Sequence, residues 1–275
     1  MTNINITSPA QDIKARYDEY ADLLVRRDRL FARAESYRIS YTAEFGEQLA
    51  ANFEIKIECI KMKKTISYCQ RRINRDLPID ITKMHAEIEK EMLLYNVQLR
   101  EMIDDAAEAK NAKSASHIEA ELSKKIYRRL AKKLHPDVNR ATEENEELRD
   151  LWERIAEAYR AYNSDELEAL EVLATKALEK LGDAAYTPDY ENLEEKIERT
   201  EKQINDIIST APYTYGEILA SKEKRETLKN QLEEEHKGFE HYLETLKEAL
   251  DDLLNLSRRA IPSALAEGSS VTIIF

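Results

Sequence analysis

Apolar residues recur every three or four positions along almost the whole of this chain, and very little interrupts them. That spacing is the mark of helices with one face turned inward. Only 5 Gly and 6 Pro punctuate the 275 residues, too few for the many tight turns of an all-β fold. Charged residues make up 35% of the chain, a share that with helical spacing points to long helices or coiled coils. The expected fold class is all-α, with length enough for a buried core in one to three domains.

Three helical regions and a tail are expected. The first, residues 1–111, carries Tyr17, Tyr20, Leu24, Leu30, Phe31, Tyr37, Tyr41 and Phe45 at helical spacing, then Phe53, Ile57, Ile60 and Ile66. Gly46 either breaks this helix or sits inside it, at about 1 kcal/mol relative to Ala. Pro78, flanked by Asp76 and Asp80, makes a turn. A further helix follows with Met84, Ile88, Met92, Leu93, Val97 and Ile103 on one face, giving a helical hairpin or small bundle. The second region, residues 112–183, opens on Ser116 and Glu119, a capping-box pair. Ile118, Leu122, Ile126, Leu130 and Leu134 form its first stripe, and Pro136 ends that helix. A helix starting near Thr142 carries Leu148, Leu151, Trp152, Ile155 and Tyr159; another starts at Asn163 and ends near Leu181 and Gly182. The third region, residues 184–260, opens at Thr187 and Pro188. Its heptad series are Leu193, Ile197, Thr200, Ile204 and Ile207, then Leu228, Leu232, Phe239, Leu243, Leu246, Leu250 and Leu253, with a break at Glu235 and His236. A loop over 210–216 between them predicts an antiparallel coiled-coil hairpin. Residues 261–275 read as a tail with an apolar end that could add as a strand to a partner.

Several function classes are disfavoured. A net charge of −12 opposes a general nucleic-acid binder. Cys59 and Cys69 are the only cysteines and make no CxxC pair, so neither a zinc site nor a disulfide framework is expected, and a reducing cytoplasm fits. The first eleven residues lack a signal-peptide pattern, and no apolar run is long enough to span a membrane. His85, Glu87 and Glu91 share a helix without the matching ligands that a carboxylate metal site needs. His236 and His241 have no cysteines beside them. No Gly-rich phosphate loop, nucleophile elbow or other catalytic constellation is present, so neither an enzyme nor a cofactor is expected.

One stretch stands out, residues 124–139, KKIYRRLAKKLHPDVN. Lys124, Arg128 and Lys132 are four apart, as are Lys125, Arg129 and Lys133, and together they make a basic surface opposite the apolar stripe. Like charges at that spacing repel by a few tenths of a kcal/mol per pair, roughly, and an acidic partner would relieve them. His135, Pro136 and Asp137 then close the helix and open a loop, expected to be exposed, with a donor/acceptor ring and a carboxylate at the end of the basic face. The next helix begins with Glu143, Glu144, Glu146 and Glu147, which suit the positive end of its dipole.

This ordered combination resembles the J-domain family. The resemblance lies in Tyr127, Leu130, Ala131 and the tripeptide His135-Pro136-Asp137 (HPD), followed by Trp152, Ile155 and the run Glu157-Ala158-Tyr159, and it covers roughly residues 117–163. It implies a co-chaperone that docks on a DnaK-type heat-shock chaperone and stimulates its ATP hydrolysis. His135, Pro136 and Asp137 would be the trigger. Tyr127, Arg128, Arg129, Lys132 and Lys133, with Lys124, Lys125 and Asn139 beside them, would be the docking face. Leu130, Leu134, Trp152, Ile155 and Tyr159 would hold the helix pair together. The family's short first helix is not visible before Ser116; a helix around Leu94 to Ile103 would have to substitute. No Gly/Phe-rich linker or zinc repeat follows, so the likeness is to members that share only the J-domain, and the coiled coils are left to recruit client or location, or to self-associate. The competing readings are a coiled-coil scaffold with an inactive J-like module, and a nucleic-acid adaptor using the basic helix.

Overall fold

The computed structural model describes residues 9–112, 116–182 and 192–260. Among these the chain is all-α, with nine helices and no strand. They are α1 (Pro9–Ile73), α2 (Ile81–Asn111), α3 (His117–Leu134), α4 (Arg140–Glu144), α5 (Glu146–Arg160), α6 (Ser164–Leu181), α7 (Leu193–Ser209), α8 (Tyr215–Ala220) and α9 (Lys222–Ala260). No described helix is long and apolar enough to cross a membrane. Thr187, Pro188 and the apolar end over 271–275 lie outside the described residues.

Two compact units are built from interleaved segments rather than consecutive stretches. Met1–Tyr41 joins Ala112–Lys222, and Thr42–Asn111 joins Glu223–Phe275. The first part of α1 thus serves one unit and its remainder the other.

In the second unit, Ile57, Tyr68 and Cys69 of α1 pack with Met84, Ile88 and Met92 of α2, and Leu250, Leu253 and Leu254 of α9 close over them. Gly46 sits inside α1. A Cβ there would lie 2.9 Å from the Ala106 Cβ, so the glycine is what lets α2 approach this closely. Between the helices the chain turns over residues 74–76, with Asp76 at φ +51° and the Leu77 amide donating to the Arg72 carbonyl at 3.0 Å, and Arg72 donates to the Pro78 carbonyl from Nε and Nη2 at 2.9 and 2.8 Å. The break in the second heptad series is a polar node. Buried Asn52 donates to the Leu232 carbonyl at 2.8 Å and to the Glu235 carboxylate at 3.1 Å, and accepts from His236 Nδ1 at 3.0 Å. A buried polar residue at such a seam fixes register at some cost in stability.

The two heptad series do not serve each other as the hairpin expectation had it. Ile197 of α7 clusters with Tyr17, Tyr20, Leu24 and Val138 in the first unit, while the end of α9 packs in the second. Heptads specify an apolar seam, and the long α1 offers that seam a partner in each unit. The expected loop between them is shorter than 210–216, because Tyr215 and Gly216 already belong to α8. Gly216 allows this: a Cβ would fall 2.4 Å from the Tyr37 ring.

The core of the first unit is made mainly by α3, α5 and α6. Leu130, Leu134, Leu148, Ile155, Leu167 and Leu170 are all nearly or fully buried in one cluster. Side-chain caps set the helix starts. Ser116 and Glu119 form the expected capping box on α3. Asn163 accepts from the Glu166 amide at 3.1 Å. The single helix expected near Thr142 is two, because Asn139 caps α4 and Asn145 caps α5. α6 ends at Leu181, with Gly182 at φ +56°.

Candidate partner-binding site

α3 carries the basic residues and ends at the HPD tripeptide. His135 occupies the C-cap position with extended backbone, its amide donating to the Ala131 carbonyl; Pro136 accounts for the stop. Val138 and Asn139 donate back to the His135 carbonyl, each at 2.8 Å, and close the loop.

Of the predicted docking residues, Arg128, Arg129, Lys132, Lys133 and Lys125 are exposed, and Lys124 is half-buried beside Glu121 at 3.5 Å. Their charges are largely answered within the chain. Arg128 and Lys132 reach one carboxylate, Asp22 of α1, at 2.9 and 3.3 Å. Arg129 donates twice to Glu171 of α6, both bonds at 2.7 Å.

Two predicted docking residues are buried. Tyr127 is buried in the core, its ring stacked on Tyr159 at 3.9 Å and tilted against Trp152 at 5.7 Å. Its hydroxyl donates to Asp28 of α1 at 2.7 Å. Burial, helped by Asp28, holds that hydroxyl protonated far above its ordinary range. Asn139 is fully buried; it accepts from the Ala141 amide at 3.2 Å and donates to the Lys133 carbonyl at 2.8 Å, pinning the loop to α3 and α4.

The exposure expected for His135 is not found. The residue is 5% exposed, with Trp152 edge-on at 4.8 Å and α1 against its other side. The Asp137 amide donates to Nδ1 at 3.1 Å. Asp28 Oδ2 lies 3.7 Å from Nε2. The Arg27 guanidinium stands 3.2 Å from the same Nε2, and a neutral imidazole accepts at only one nitrogen, so the Asp137 amide and Arg27 compete for the ring. Burial lowers the His135 pKa below the usual histidine value, Asp28 and Asp137 opposing and Arg27 adding to it. Asp137 remains half-exposed, 3.8 Å from Arg27, and Pro136 is half-buried.

The helix packed on α3 and α5 comes from the start of the chain. Leu93, Leu94, Val97 and Ile103 of α2 are exposed and belong to the other unit, so the expected substitute around Leu94 to Ile103 is not the one used. Instead Val25 and Ala32 of α1 join the α3/α5/α6 core, and Tyr17, Tyr20, Ala21 and Leu24 close over Val138. Tyr17 also donates its hydroxyl to the Val138 carbonyl. The sequence signal was present in that run of aromatic and aliphatic residues; its partner was not. Leu130, Leu134, Ile155 and Tyr159 are buried as core residues, with Trp152 partly so. Ile118 and Leu122, expected on the same stripe, are exposed. A strict four-residue spacing drifts by about 40° per step, which carries the start of the stripe off the core face.

Glu87 and Glu91, considered as metal ligands, pair with Arg71 and Lys64. Among the described residues no cluster of three or more His, Cys, Asp or Glu is placed to hold a metal ion. No family model, no curated protein and no solved structure matches this chain.

Proposed function

We propose that the chain is a co-chaperone of the J-domain kind, which docks on a DnaK-type heat-shock chaperone through α3 and the HPD loop and stimulates its ATP hydrolysis. The observation that carries this reading is the placement of the tripeptide. It stands at the end of a basic helix whose core partner, α5, supplies the aromatic and isoleucine that the resemblance requires. Exposed Arg128, Arg129, Lys132 and Lys133 give an acidic partner surface its counter-charges. Pro136 and Asp137 present the turn, and His135 organises it through the Asp137 amide. The long helices outside this module recruit client or fix location, in a reducing cytoplasm.

The test is single-turnover ATP hydrolysis by a DnaK-type chaperone with the full chain added. Stimulation by the native chain and its loss in both Asp137→Asn, at a half-exposed position, and His135→Gln is the expected result. Equal rates with and without the native chain and with every variant would reject it. A second reading, a scaffold whose J-like module has no chaperone partner, is favoured by one observation: His135 is buried and the basic residues beside it already hold carboxylates of the same chain.

A further inference from the structure

The first part of α1 stands where an acidic partner would. It brings Asp22 to Arg128 and Lys132, and Asp28 to Tyr127 and to His135. We infer that residues 17–32 are a displaceable cover: an internal competitor that holds the basic face and the HPD loop closed until a DnaK-type chaperone displaces it. This rests on the co-chaperone reading above.

Four observations indicate that the cover can come away. First, its two ion pairs to the basic face are exposed; Asp22, Arg128 and Lys132 keep 49, 57 and 41% of their side-chain surface in solvent, and pairs of that kind are individually weak. Second, the seam is open to solvent on one side. A groove of about 300 Å³ runs between Arg27, Asp28 and Phe31 of the cover and His135, Pro136 and Trp152 of the hairpin, and Phe31 is 54% exposed there. Third, two donors, the Arg27 guanidinium at Nε2 and the Asp137 amide at Nδ1, face a ring that in its neutral form accepts from only one of them, a competition that ends when the cover leaves. Fourth, the core beneath takes few apolar residues from α1, beside the Asp28 carboxylate that accepts from Tyr127. Apart from Ala32 and Val25, the cluster around Leu134, Leu148 and Ile155 comes from α3 to α6, while most of the cover's apolar residues form their own cluster with Val138 and Ile197.

The cover also indicates what the open site binds. It places two carboxylates six residues apart on one helix, one over the basic pair and one over the end of α3. A partner that displaces it must offer at least as much negative charge in the same span.

Asp22→Lys reverses both exposed ion pairs without touching the core or any residue assigned to docking. If the cover competes, this full-length variant stimulates the chaperone's single-turnover hydrolysis more strongly than the native chain, by roughly three- to tenfold at sub-saturating concentration. The gain must disappear when Asp137→Asn is added. Hydrogen exchange on the unaltered chain is an independent check. Addition of the ATP-bound chaperone should speed amide exchange over residues 17–32 while slowing it over 124–139. Two results overturn the cover alone: equal stimulation by native and Asp22→Lys chains, both sensitive to Asp137→Asn, or protection of 124–139 with unchanged exchange over 17–32. No stimulation by either chain, with no protection anywhere, removes the co-chaperone reading itself and the cover with it.

Discussion

Tyr127 and His135 both face α1, and each meets Asp28 there. Replacing Tyr127 by Phe keeps the stacked ring but leaves the partly buried Asp28 carboxylate without the hydroxyl that donates at 2.7 Å. The expected loss is about 1–3 kcal/mol, seen as a lower unfolding midpoint in thermal or urea melts with the helical content of the folded state unchanged. His135 makes the first unit sensitive to acid. Its pKa is lowered in the folded chain, so below about pH 6.5 the unfolded chain binds the proton more readily and stability falls as pH drops. The contribution is whole above that pH and shrinks towards the lower folded value. Melting the native chain and His135→Gln at pH 7.5 and 5.5 should show a steeper acid loss for the native protein; parallel losses would assign the effect elsewhere. The local chemistry of this site was legible in the sequence. Pro136 stops the helix, and the basic residues alternate with a buried stripe. The burial of His135 was not, because it depends on a helix over a hundred residues earlier whose apolar run names no partner.

Helix boundaries were legible wherever a side chain makes them. Ser116 with Glu119, Asn163 and Pro78 each act on backbone within a few residues, which is why the expected starts and turns recur in the fold. Asn145 was overlooked, and one predicted helix became two. Pairing between helices was the part that periodicity could not assign: α7 and α9 each found α1 in place of one another. Gly46 shows how close that packing is. Gly46→Ala should gain helix propensity of about 1 kcal/mol and still destabilise, because its new methyl lies 2.9 Å from the Ala106 Cβ and overpacking costs about 1–3 kcal/mol. Adding Ala106→Gly should recover most of the loss in a denaturant melt; a double variant no more stable than Gly46→Ala would mean that the contact is not the cause. Asn52→Leu tests the polar node in the same unit. It strands His236 and the Leu232 carbonyl without their partner, so it should lower stability despite its larger apolar surface.

At the scale of the molecule, an acidic chain of net charge −12 keeps one basic face and covers it with its own carboxylates. In the function proposed above, that face meets an acidic surface of a DnaK-type chaperone rather than nucleic acid. The cover lowers apparent affinity by the fraction of chains that are closed; it need not alter the docked state. The most direct test is the equilibrium affinity of the full chain for the ATP-bound form of such a chaperone, measured for native protein, Asp22→Lys and Asp137→Asn under one set of conditions. The expected order is Asp22→Lys tightest, native weaker, and Asp137→Asn weakest or undetectable. Equal affinity in all three, or binding in none, would contradict docking through the HPD loop.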